Sequence, residues 1–122
     1  EYVASALRVT GAETKITHPL LRYLTRMGEP LFLAQPPTGH PDVGASWISP
    51  DMLLTRMNFV SDLVGNRLPG SRIQKDAISD PESIIRLIAP DSISPATRAA
   101  LNENNGAASV ALLLAAPEFQ RR

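Results

Sequence analysis

Cysteine is absent from this chain. That removes disulfides, thiolate zinc sites and cysteine nucleophiles together. It does not choose a compartment, because a secreted domain of adequate size needs no disulfide. Aromatic residues are scarce, at 5%, and polar–apolar alternation is poor, which argues against a core built from sheet. No apolar run approaches the roughly 18 residues that would span a bilayer. The longest, VALLLAA at 110–116, is the length of a core helix. Neither sign of charge is in excess: Lys+Arg and Asp+Glu are both 12, for a net charge of +0. Such a chain has no global field to draw in nucleic acid or an anionic membrane, so no nucleic-acid partner is expected. No H-E-x-x-H, G-x-S-x-G, phosphate-loop or calcium-loop pattern occurs. No catalytic residue, metal or cofactor is assigned on these grounds, and whether the protein is an enzyme stays open.

What is present is 122 residues, 43% of them hydrophobic and 20% charged. That is one globular region with enough chain for a single core. Its clearest signals are helix starts built on proline. Ser49-Pro50-Asp51, Asp80-Pro81-Glu82 and Ser94-Pro95 each place an oxygen-bearing side chain at the cap and proline at the first helical position. The cap accepts from a backbone N–H that has no partner in the helix, and proline sits where its missing N–H is not needed. Helical stripes surround these starts. Val3, Ala6 and Leu7 share a face that Gly11 ends, and Leu20, Leu21, Leu24 and Met27 form another. In the segment from Ser49, Leu53, Met57, Val60 and Val64 line up, with Met52, Phe59 and Leu63 widening the face and Arg56 placed off its centre. A face that wide marks a central helix. The reading is all-α: a bundle of about five to six short helices with one long proline-rich loop.

That loop, in the stretch QPPTGHPDVGASWISP, holds Pro36, Pro37, Pro41 and Pro50, Gly39, Gly44 and the single tryptophan, Trp47. Two readings of it stand. As a strap, its prolines lower the entropy of the unfolded chain while Trp47 and Ile48 pin its end to the core. As a binding loop, residues 29–48 run for twenty positions with little regular pattern, long enough to be functional. The ligand or partner-binding candidates are therefore His40, Asp42 and Trp47 in the loop and Arg56 and Asn58 on the helix after it. His40 and Asp42 could offer two ligands to a divalent cation, but no third is marked, so no metal is assigned. Arg56 and Asn58 sit among apolar neighbours and need polar partners, which the loop carbonyls could supply. Arg22 and Arg26, spaced i, i+4, share a helix face that is either an anion patch or simply solvated.

Three stretches in order also resemble one family. QPPTGHPDVGASWISPDMLLTRMNF carries Gln35, Pro36, Pro37, Trp47, Ser49, Leu54, Arg56, Asn58 and Phe59 at the positions of a segment in bacterial proteins called domain of unknown function 1800. EYVASALRVTGA is similar to that family's helix of the form E-(F/L)-V-x-x-x-L-R-x-x-G, and LLLAAPEFQRR to its C-terminal L-L-L-x-(S/A)-P-E-F-Q-x-R. One position departs: His40 stands where the family often has an aromatic residue between glycine and proline.

The resemblance implies a longer, exported bacterial protein (periplasmic, cell-surface or secreted) of which residues 1–122 are the C-terminal region. The chain also opens without Met inside an amphipathic pattern, from which a fragment is expected, with an exposed apolar patch near residues 1–9 where an upstream part would pack. The functional expectation is a structural or interaction module, its partners the N-terminal part of the same protein and an envelope or extracellular protein. The alternative is a non-catalytic part of an extracellular polymer-acting hydrolase whose active site lies mostly upstream. In that case His40, Asp42, Arg56 and Asn58 would converge on a cleft.

Overall fold

A computed structural model describes residues 1–27, 50–88 and 93–120. The proline-rich loop, with His40, Asp42 and Trp47, lies outside the described residues. Seven α-helices are present among the described residues: α1 (Tyr2–Val9), α2 (His18–Arg26), α3 (Pro50–Val64), α4 (Pro81–Ile88), α5 (Pro95–Asn102), α6 (Ala107–Ala115) and α7 (Pro117–Gln120). The all-α reading holds. The helix beyond the expected six is α7, a single turn in PEFQ, too short to show periodicity in the sequence. A two-stranded antiparallel ladder joins β1 (Glu13–Thr14) to β2 (Ser71–Arg72).

The helix starts form as their caps dictate. The Oγ of Ser94 accepts from the Thr97 N–H at 3.2 Å. Asp80 accepts from the Glu82 N–H at 3.1 Å and from the Ser83 hydroxyl at 2.5 Å. Helix α1 stops where Gly11 turns to φ +60, a conformation that costs glycine little.

Helix α6 is the hub. It packs against α3, α5, α7 and α4, and α3 carries α2 on another side. The core runs through Phe59, Val60 and Leu63 of α3, Val110, Leu113 and Leu114 of α6, Ile84 and Ile85 of α4, and Phe119 of α7. The segment 67–79 is less polar in effect than its composition suggests: Leu68, Ile73 and Ile78 are all buried.

Two sequence expectations are corrected. Tyr2, Val3 and Ala6 are buried at 3%, 6% and 0% exposure, so α1 shows no exposed apolar patch and its face is covered within the described residues. The face of α3 is also turned. Its buried residues are Thr55, Arg56, Phe59, Val60, Leu63 and Val64, while Leu53 and Met57 are 36% and 55% exposed. At about 100° per residue, the centre of the buried arc lies roughly 80° from the expected stripe, almost at Arg56. Periodicity located an apolar sector. It could not show that a charged residue would find partners in the middle of the core.

The turn after α3 is held by one side chain. Asn66 adopts φ +53 and clamps Ile73 from both sides: its Oδ1 accepts from the Ile73 N–H at 2.7 Å and its Nδ2 donates to the Ile73 carbonyl at 3.0 Å. Asparagine is the non-glycine residue best suited to this conformation. Asn66→Ala is expected to cost about 2 kcal/mol and Asn66→Gly about 1 kcal/mol, because glycine keeps the backbone conformation and loses only the two bonds. Urea melts of both variants check this; a glycine variant no more stable than the alanine one would remove the backbone part of the account.

Candidate functional site: the Arg56 knot and the outer face of α3 and α6

The C-terminal PEFQ stretch assigns each residue a task. Pro117 opens α7. Glu118 reaches back to α5, where its Oε1 accepts from the Ser94 N–H at 3.0 Å and from the Thr97 hydroxyl at 3.1 Å. Those bonds, that from Ser94 foremost, hold its carboxyl at about 2, well below the ordinary 4.5. Phe119 is 1% exposed and meets Tyr2 edge to face at 5.5 Å. Gln120 turns toward α1 and α3, donating from Nε2 to the Leu114 carbonyl at 3.1 Å and to the Tyr2 hydroxyl at 3.3 Å.

Arg56 completes this knot. It is 7% exposed, and its guanidinium donates from one Nη to both the Gln120 carbonyl and the Gln120 Oε1 at 3.0 Å. The same cation lies 4.8 Å from the centroid of the Tyr2 ring. Such a contact gains strength when water is excluded. Tyr2 in turn packs edge to face on Phe59 at 6.3 Å and donates its hydroxyl to the Leu114 carbonyl at 3.2 Å. Burial pushes the Tyr2 phenol up to about 12, against the pull of the Gln120 bond and the Arg56 charge. Among the described residues the Arg56 Nε–H has no hydrogen-bond partner. The knot therefore consists of one charge, one ring and one amide, and it joins α1, α3, α6 and α7.

The candidates from the sequence separate. Arg56 is a tie, as its surroundings required, but the partner seen is Gln120, 64 positions on, rather than a loop carbonyl. Asn58, two residues along α3, is exposed. Two positions on a helix point about 200° apart, so Arg56 and Asn58 do not meet in one cleft. His40, Asp42 and Trp47 lie outside the described residues. Gln120 and Tyr2 were not candidates, and only the matching of PEFQ and EYV to family motifs marked their segments.

A second feature is the side of α3 turned away from the knot. Leu53, Leu54 and Met57 are 36%, 57% and 55% exposed, and Leu112 of α6, which shares a groove with Met57, is 40% exposed. Met57, Val60, Ala108, Ala111 and Leu112 line an open groove of about 420 Å³ between the two helices. An apolar strip across two neighbouring helices is the kind of surface that proteins use for contact.

Taken together, these features define a helical domain in which Tyr2, Arg56, Phe59, Phe119 and Gln120 close the fold among the described residues. The family model for "Protein of unknown function (DUF1800)" matches residues 1–121, and the chain belongs to that family. No curated protein and no solved structure matches it.

Arg56→Ala is expected to cost about 2–4 kcal/mol, since it strips charge-assisted bonds from Gln120 and the cation from the Tyr2 face. Arg98→Ala is the control: Arg98 meets Glu82 at 3.8 Å and both side chains are about half exposed, so its loss should be near zero. Denaturant melts of the two variants decide it, and equal midpoints would mean that Arg56 is no tie.

The depressed Glu118 carboxyl makes a pH prediction. Its contribution to stability is complete above about 4.5 and is lost as pH falls through about 2. Acid melts of the parent should therefore weaken over that window more steeply than those of Glu118→Gln. Parallel curves would show that the carboxylate does not hold α5.

Proposed function

We propose that the chain is a structural and interaction module of a larger exported bacterial protein. The outer face of α3 and α6 is its contact surface and the N-terminal part of the same protein its first partner. An envelope or extracellular protein would be a further one. The observation that carries the interaction reading is the apolar groove lined by Met57 and Leu112, with Leu53 and Leu54 of α3 also exposed. The exported and longer context rests on the family resemblance alone. Convergence of His40, Asp42, Arg56 and Asn58 on a cleft would favour the hydrolase reading; Arg56 and Asn58 point about 200° apart on α3, which takes that support away from it.

The test uses the upstream portion of the same gene product, made separately, as the probe. Added to the isotope-labelled chain, it should shift amides of α3 and α6 around the groove. Met57→Asp combined with Leu112→Asp should abolish the shifts and leave thermal stability close to the parent, because both side chains are already about half exposed. Binding that survives the double substitution, or no binding at all, overturns the proposal.

A further inference from the structure

A cleft of about 240 Å³ lies on the far side of α2, lined by Pro19, Arg22, Tyr23 and Arg26 and closed by Asp62 and the Leu68–Pro69 turn. Its construction is specific. Thr17 donates its hydroxyl to the Pro69 carbonyl at 2.9 Å, and Lys15 donates its N–H to the Gly70 carbonyl at 2.8 Å. Gly70, at φ +84, lets the turn come against Thr17, where a Cβ would meet the threonine methyl at 2.3 Å. The wall opposite α2 is thus fixed by backbone bonds.

The charges in the cleft do not cancel. Asp62 is already engaged: its Oδ2 accepts from the Tyr23 hydroxyl at 2.6 Å and its Oδ1 from Arg67 Nε at 3.2 Å. Arg22 and Arg26 are exposed and form no ion pair or hydrogen bond among the described residues. Two like charges at i, i+4 repel along the helix, and the lining sets these two cations against a single carboxylate, Asp62.

We propose that this cleft binds a small ligand bearing an oxyanion, carboxylate or phosphate, with Arg22 and Arg26 pairing with the anion. Guanidinium forks match the paired oxygens of such groups. The body of the ligand rests on Pro19, the Tyr23 ring and Pro69. The volume is below the usual range for drug-sized ligands, which limits the occupant to something near the size of one sugar residue. The site is independent of the contact face on α3 and α6.

The probes are inorganic phosphate, glucuronate and, as the uncharged control, glucose, each at constant ionic strength. At least one anion should give saturable amide shifts in α2 and residues 68–72 and raise the melting temperature, while glucose does neither. Arg22→Ala with Arg26→Ala should weaken that binding by about tenfold or more and leave helicity unchanged, and Arg8→Ala should leave it intact. A response to glucuronate alone identifies a carboxylated sugar; a response to phosphate alone identifies a phosphate group. Shifts that never saturate with either anion, or that persist in the double variant, overturn the proposal.

Discussion

One buried cation organises this fold. Arg56 sits at the centre of the core-facing arc of α3, and desolvating a guanidinium is costly unless its donors and its charge are met. One Nη and the charge are met by groups remote in sequence: the Gln120 carbonyl and side-chain oxygen from α7, and the Tyr2 ring from α1; the Nε–H has no hydrogen-bond partner among the described residues. The requirement therefore constrains the chain at both ends. If α7 is not docked, the cation loses its acceptors; if α1 is not docked, it loses the ring.

The apolar packing around that charge is continuous with it. Tyr2, Phe59 and Phe119 meet edge to face, and Tyr23 meets Phe59 in the same way at 5.5 Å. Few aromatics are present, and four of the six are spent on this one cluster. Concentrating them lets a core of short helices close around a polar centre, since each ring covers more surface than an aliphatic side chain. The three stretches that mark family membership supply three of these four rings, Tyr2, Phe59 and Phe119. Among the described residues, motif positions thus serve both roles: Tyr2, Arg56, Phe59, Phe119 and Gln120 close the core, while Leu54, Asn58 and Leu112 are exposed.

The surface divides into two regions of different chemistry. The apolar strip along α3 and α6 suits a protein contact, while the cleft beside α2 is small and cationic. They share no lining residue, although Asp62 of α3 closes the cleft, and the knot holds α3 and α6 with its own residues on their inner sides. The same helix thus presents a tie inward and a contact outward.

The sequence by itself determined the helices. Proline starts capped by Ser94 and Asp80, the stop at Gly11 and the stripe of α2 all act within a turn or two of the chain, so short-range physics was enough to read them. Tertiary structure alone decided the rotation of α3, the burial of Arg56 and the covering of α1. Each of these depends on a partner more than 50 residues away, and a helical pattern states which residues share a face without stating what that face will meet. The pattern put Arg56 among apolar neighbours and called for polar partners; only the fold identified them as Gln120 and Tyr2.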